Sequence, residues 1–357
     1  MHCMHIWHSL FKLCRCTGNT KTHYQTVHLY MKDLSTEYLG LQLKNPVIVG
    51  SSGLTDSADK IKELADNNAG AVVLKSLFEE QILAELSQNI ADYTADYPDA
   101  FDYIREYTRE NSVSAYLSLI AAAKKAVQIP VIASINCVSG KEWVAFTRSV
   151  ENAGADALEI NISLLPSDPR KKCTDYEKIY FDVIEQVASV VSIPVSLKMS
   201  IYSSALANLI SRLSWTGKVA GFVLFNRYFR PDFDLGNLTV RPAGIFSTPE
   251  EMFLPLRWIA LLAGNVDRDF AASTGVHDSA GLIKQLLAGA AAVQVVSTLY
   301  KNGPAHINEL VRGLSDWMES RSYDRISDFR GKMSAAITED SAALQRVQFM
   351  KYFGGIS

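Results

Sequence analysis

Residues 152–168 read NAGADALEINISLLPSD. Asn152 to Ala155 form a small-residue turn in which Gly154 suits the end of a helix, and the mostly apolar run Ala157 to Ile162 suits a strand buried on both faces. An amide, Asn161, stands near the end of that run, just before Ser163-Leu164-Leu165-Pro166 interrupts it. The chain therefore passes from helix to buried strand and delivers a polar group where the strand stops.

The same punctuation recurs along the chain. Asn68-Ala-Gly-Ala precedes Val72 to Lys75, Lys218-Val-Ala-Gly precedes Phe222 to Asn226, and Ala288-Gly-Ala precedes Ala292 to Val296. Gln128-Ile-Pro-Val and Ser192-Ile-Pro-Val open two further runs that end at Asn136 and Lys198. Proline fits such a strand start, where no ladder N–H is needed. With Val47–Gly50 and Arg268–Ala272, eight strands are expected at about 47–50, 71–75, 131–136, 156–161, 194–199, 221–226, 268–272 and 292–296. Between them lie apolar sets at helical spacing: Ile61, Leu64 and Ala65; Trp143, Phe146 and Val150; Ile179, Val183 and Val187; Leu206, Leu209, Ile210 and Leu213; Leu282, Ile283 and Leu286. Each set turns one stripe toward a sheet. Eight βα units without a Gly-rich first turn predict an α/β fold, the TIM (β/α)8 barrel, rather than a doubly wound sheet. The long segment 77–127, rich in tyrosine (Tyr93, Tyr97, Tyr103, Tyr107, Tyr116), reads as an insertion between strands 2 and 3 that covers the barrel mouth or makes a subunit contact.

Composition agrees with one large core: 357 residues, 48% hydrophobic and 20% charged. A formal net charge of −3 gives no reason to expect nucleic acid or an acidic membrane surface as partner. No run of about 18 apolar residues suggests a transmembrane helix. Five cysteines (Cys3, Cys14, Cys16, Cys137, Cys173) make no disulfide framework, so a cytoplasmic location is expected. Residues 1–30 hold five of the seven histidines and three of the five cysteines, but no ligand pairs with zinc-finger spacing. We read them as a disordered or artefactual extension that binds no metal, with a single barrel domain over 31–357.

In such a barrel the C-terminal strand ends share one rim, where the chemistry is done. Those ends are Ser51-Ser52-Gly53, Lys75-Ser76, Asn136, Asn161-Ile-Ser163, Lys198, Asn226, Ser273-Thr274-Gly275 and Ser297-Thr298. Small residues after the last two strands suit a phosphate held on backbone N–H groups. A phosphate anchor with lysine and amides around the rim fits flavin mononucleotide (FMN) lying across the mouth.

Asn45-Pro46, Ser52-Gly53, Lys75-Ser76, Glu159-Ile-Asn161-Ile-Ser163, Val195-Ser-Leu-Lys198, Gly275-Val276 and Ala290…Val293-Gln294-Val295…Thr298-Leu299-Tyr300…Gly303-Pro304 together resemble the soluble class of dihydroorotate dehydrogenases. The last of these is the most distinctive, and the similarity runs from about Met31 to the C-terminus. The resemblance implies an FMN barrel that oxidises dihydroorotate to orotate in pyrimidine biosynthesis. A hydride goes to flavin while a base takes the neighbouring proton. It implies Lys75 near flavin and substrate, Lys198 on the flavin, and Asn136, Asn161 and Asn226 on flavin and substrate amides. Ser273, Thr274, Gly275, Ser297 and Thr298 would serve the phosphate, with Ser52 and Ser76 beside the cofactor. A homodimer is implied. The electron acceptor is fumarate or, through a partner subunit carrying FAD and an iron–sulfur cluster, NAD.

The pattern departs at the base. The family motif places a cysteine or serine where this chain has Leu164, which has no titratable proton. Pro166 is displaced as if by a one-residue insertion. Ser163 or Ser167, or Cys173 folding back, stand as substitutes. Thr274-Gly275 replaces a Gly-Gly pair, putting a Cβ where close backbone approach is usual, and Asn111 to Tyr116 only faintly echo a substrate-binding segment. Three functions follow: a dihydroorotate dehydrogenase with a substitute base, a flavin oxidoreductase for a different unsaturated ring, and a flavin-binding protein without catalysis.

Overall fold

The computed structural model describes residues 32–78, 113–137, 144–339 and 341–345. The N-terminal extension, Tyr93, Tyr97, Tyr103, Tyr107, Asn111, Ser112 and Trp143 lie outside the described residues.

Eight strands run parallel around a closed barrel: β1 (Val47–Val49), β2 (Ala71–Val73), β3 (Val131–Cys137), β4 (Ala157–Ile162), β5 (Val195–Lys198), β6 (Gly221–Leu224), β7 (Asp269–Ser273) and β8 (Ala292–Val295). Each pairs with its neighbours in sequence, and β8 returns to pair with β1. The expected strands are all present; β1, β2, β5, β6 and β8 are trimmed by one or two residues where the chain leaves the ladder, and β3, β4 and β7 end one residue later than expected. A two-residue strand, Leu77–Phe78, extends the β2 edge along β3.

Alternation along each strand divides the core in two. From β4, Leu158, Ile160 and Ile162 join the large apolar layer between barrel and helices, whereas Ala157 joins a smaller cluster with Ile48, Val73, Ile132, Val223 and Ala271 inside the barrel. Glu159 and Asn161 share the inward parity of Ala157. Register then fixes two polar rows across β3, β4 and β5: Ser134, Glu159 and Ser196 in one, and Asn136, Asn161 and Lys198 in the next, nearer the mouth.

The outer layer holds α1 (Ala58–Asp66), α2 (Val113–Ala126), α3 (Val144–Asn152), α4 (Cys173–Ala188), α5 (Leu206–Trp215), α6 (Phe253–Leu262) and α7 (Ser279–Ala288), then the short α8 (Ser297–Asn302) and α9 (His306–Ser320). The apolar sets read from sequence supply their buried faces, for example Leu206, Leu209, Ile210 and Leu213 on α5. The end of the expected 77–127 insertion is ordinary barrel structure. Tyr116, Ile120 and Ala123 bury one face of α2, and the Tyr116 phenol donates to the Ser134 carbonyl at 2.9 Å while accepting from the Ser134 N–H at 2.7 Å. What remains of the insertion, 79–112, is outside the described residues.

An N-terminal hairpin, Thr36–Tyr38 with Leu41–Leu43, closes the lower end. Its two-residue turn has positive φ at Leu39 and Gly40 (57° and 74°), the geometry that matches strand twist in tight hairpins. Leu39 donates its N–H to Asp269 at the start of β7 at 2.8 Å. Tyr38 enters the barrel interior fully buried, with Ser196 and Glu159 near its phenol; burial, first, and Glu159 and Asp269 next push its pKa well up. A second hairpin, Pro231–Asp234 with Thr239–Pro242, leaves the rim after β6. Among the described residues no helix is long and apolar enough to cross a membrane.

Candidate active site

The floor of the mouth is a closed polar triangle. Lys198, from the end of β5, donates to Gln294 Oε1 at 2.9 Å and to Glu159 Oε1 at 3.3 Å. Gln294, on β8, donates in turn to Glu159 Oε2 at 2.5 Å. All three are nearly sealed from solvent, at 9%, 3% and 1% exposure for Lys198, Gln294 and Glu159. Buried charge persists only when paired and hydrogen-bonded, and here both carboxylate oxygens and the amide oxygen are used. The pattern also fixes the amide orientation, because Gln294 must point oxygen to the lysine and nitrogen to the carboxylate. An ammonium has three donors. Two are occupied by the triangle, so one N–H remains for the mouth.

Asn161 stands beside Lys198 in the register. Its Oδ1 is buried and has no hydrogen-bond partner among the described residues. A buried acceptor without a partner costs about 1–3 kcal/mol, so this is the place where a bound group with an N–H would be stabilised. Asn136 lies next in the same row. On the far side, Asn226 donates to Ser163 Oγ at 3.1 Å and joins the β6 and β4 loops. Near β1 and β2, Ser76 Oγ lies 3.0 Å from Ser51 Oγ and 2.7 Å from Ser134 Oγ, and its N–H donates to Ser51 at 2.9 Å. Lys75 is half-buried just before it, its N–H donating to the Thr55 carbonyl at 3.4 Å. Ser52 caps the following turn, accepting from Leu54 N–H at 3.2 Å.

After β7 the backbone turns left-handed twice, at Thr274 (φ 84°) and Gly275 (φ 80°). A Cβ on Gly275 would sit 2.1 Å from Met252 N, so glycine is required there. Thr274 has no such licence, and a β-branched residue at positive φ is strained. Among the described residues, the N–H groups of Gly275 and Val276, beyond the end of the β7–β8 ladder, make no backbone hydrogen bond. The hydroxyls expected beside them are already engaged. Thr298 donates to the His277 carbonyl at 3.1 Å and accepts from Asn302 at 3.2 Å, and Ser297 Oγ accepts from Ser247 N–H at 3.0 Å. A phosphate here would therefore rest on main-chain donors first. Ser247 Oγ lies 3.1 Å from His277 Nε2, and burial, then Lys301, lowers the His277 pKa.

Leu164 is buried (8% exposed) whereas Leu165 is open (57%). Its carbonyl accepts from Tyr228 OH at 3.2 Å and Ser200 Oγ at 3.3 Å. Its side chain lines a cavity of about 330 Å³ between the β4 and β5 loops, together with Tyr180, Tyr202 and Leu209. Cys173, exposed at the start of α4, lines the same cavity, and neither Asn161, Lys198 nor Asn226 does. Cys173 and the mouth amides thus belong to different surfaces. Ser163, by contrast, is tied to Asn226 at the rim, and Ser167 is exposed.

Glu159 and Gln294 enter the sequence reading only inside family motifs and with no role, and Ser200, Tyr228 and the Ser247–His277 pair do not enter it. For Glu159 and Gln294 a signal exists, namely a polar residue inside the buried runs ALEINI and AVQV. For Tyr228 and Ser200 none does, because their partner is a backbone carbonyl.

A closed parallel barrel whose polar groups converge at the C-terminal rim defines a barrel enzyme. A sequence profile described as Dihydroorotate dehydrogenase matches residues 33–318, and the chain belongs to that family, oxidoreductases acting on CH–CH bonds. It is similar to the dihydroorotate dehydrogenase B (NAD(+)) catalytic subunit of Thermoplasma volcanium, 24% identical over 314 residues covering 84% of this chain and 98% of that relative. The corresponding subunit of Methanothermobacter thermautotrophicus is 23% identical over 313 residues (84% and 97%). Dihydroorotate dehydrogenase A (fumarate) of Lactococcus lactis subsp. lactis is 21% identical over 321 residues (85% and 99%).

Proposed function

We propose that this chain binds FMN across the barrel mouth and exchanges a hydride with a CH–CH bond of a planar, amide-bearing ring, dihydroorotate being the substrate the family points to. The observation that carries the reading is the buried Oδ1 of Asn161, an acceptor without a partner among the described residues, beside the remaining N–H of Lys198. An acceptor next to a donor complements the alternating N–H and C=O groups of a pyrimidine edge. The open N–H groups of Gly275 and Val276 supply a phosphate site at a second point of the rim. FMN, when bound, supplies the hydride-accepting ring.

The protein's own part is positioning. Lys198 and Asn161 orient the pyrimidine edge, and Asn226 with Ser163 faces the substrate side. In dihydroorotate oxidation one C–H leaves as hydride and its neighbour leaves as a proton. In this reading Ser163 relays that proton, taking it on Oγ while its own O–H proton passes to solvent water at the rim, and Asn226 holds its oxygen in place. Electrons leave toward fumarate or a partner subunit. The hairpin after β6 exposes Phe233, Leu235, Leu238 and Val240, which supports a subunit contact.

Leu164 favours a second reading, reduction of a different unsaturated ring. Its buried side chain and pinned carbonyl leave no base at the position the family uses. Anaerobic mixing of the oxidised holoprotein with dihydroorotate separates the two readings. Bleaching of the flavin band at about 450 nm supports dihydroorotate oxidation. No bleaching, with reoxidation of chemically reduced flavin by a cyclic enone, supports the second.

A further inference from the structure

We propose that Glu159 is a positioning residue for Lys198, fixing the aim of the ammonium and cancelling its charge, so that the mouth receives a hydrogen-bond donor with little net charge. The inference rests on the reading that FMN occupies the mouth. Its basis is the triangle itself. Glu159 is 1% exposed in the middle of β4, a site that packing alone would give to an apolar residue, and it makes its two bonds to Lys198 and to the amide that also holds Lys198. Gln294 closes the ring from the opposite wall of the barrel, leaving the lysine one direction to donate.

A ring that takes up electrons gains negative charge, and nearby positive charge favours the reduced state. A lysine alone would raise the reduction potential strongly. A buried carboxylate behind it offsets that effect, so the Glu159 charge, rather than the lysine alone, sets the potential of the bound cofactor.

The triangle offers a test that separates charge from packing. In Glu159→Gln the charge is lost and one bond fails, because the new amide at position 159 and the amide of Gln294 cannot both keep their oxygens toward Lys198 and still pair with each other. In the double variant Glu159→Gln/Gln294→Glu every bond is restored. The side chain at position 159 then presents oxygen to the lysine and donates its N–H to the new carboxylate, whose other oxygen accepts from Lys198. The single negative charge has moved to the other side of the ammonium.

The measurements are the two-electron potential of bound FMN and its affinity for sulfite, which adds to electron-poor flavins, both taken at one fixed pH. Glu159→Gln is expected to raise the potential and tighten sulfite by roughly tenfold, the scale of one charge removed within a partly buried site. The double variant is expected to return both values to wild type. An unchanged potential in a folded, yellow Glu159→Gln protein overturns the inference, as does a double variant that keeps the shifted value. If Glu159→Gln does not retain flavin, the double variant decides: flavin held at the wild-type potential supports the role, and a displaced potential or loss of flavin overturns it. Failure of the wild type to bind FMN sinks the FMN reading itself, which distinguishes the two.

Discussion

The phenol of Tyr228 donates to the carbonyl of Leu164 across 3.2 Å, and this bond holds the loop after β4 with its leucine turned into the core. Ser200 makes a second bond to the same oxygen. Restoring a thiol at this position, Leu164→Cys, is therefore expected to place sulfur in the cavity lined by Tyr180 and Leu209, away from the mouth. Dihydroorotate turnover stays at the wild-type level, and stability falls by about 1–3 kcal/mol from the lost apolar volume. Flavin reduction rates and denaturant melts check both. A tenfold gain in turnover contradicts the pinned loop.

Asn161 gives a test that separates binding from folding. Its Oδ1 has no partner among the described residues, so Asn161→Ala removes a buried unsatisfied acceptor and leaves stability unchanged within about 1 kcal/mol. FMN affinity, read by fluorescence titration of the apoprotein, is expected to fall by roughly tenfold, one hydrogen bond in a dry site. Loss of stability without loss of affinity would make the amide structural.

Thr274 carries strain that its neighbour does not. At φ 84° a threonine is held in a region open to glycine, at a cost on the order of 1–3 kcal/mol. Thr274→Gly is expected to stabilise the protein by about 1 kcal/mol, part of the relief being offset by the freer unfolded chain. FMN should bind more tightly because its phosphate can approach the backbone. Thermal melts and titration report the two effects, and a destabilised Thr274→Gly contradicts them.

His277 makes the loop after β7 sensitive to acid. Burial, with Lys301 second, holds its pKa below the ordinary value. The unfolded chain therefore binds more protons between the folded pKa and about 6.5. Stability from this group is fully present above that value and is lost as pH falls toward the folded pKa. His277→Gln, which cannot charge, is expected to flatten this part of the melting-temperature profile between about pH 7 and 5. Parallel wild-type and variant profiles would remove His277 from the account.

The barrel is legible in the sequence because its punctuation is local: Gly154 and Gly289 end helices, Pro130 and Pro194 precede strands, and buried parallel strands read as continuous apolar runs. The rim amide and the rim lysine are legible for the same reason, since Asn161 and Lys198 mark strand ends. Register is not. That Glu159 meets Lys198 and Gln294 depends on which strands adjoin across the closed barrel, and the 135-residue separation of Glu159 and Gln294 hides it from any local reading. The hairpin after β6 escapes a pattern reading because Pro231–Asp234 and Thr239–Pro242 are mainly exposed and present no buried face.

The central claim, that this rim holds FMN, is met most directly by reconstituting the purified protein with FMN, removing unbound cofactor, and recording the absorbance spectrum. The expected result is one FMN per chain with a shifted band at about 450 nm, as for a flavin ring placed in a structured site. Protein that returns colourless after reconstitution, while folded by circular dichroism, would contradict it.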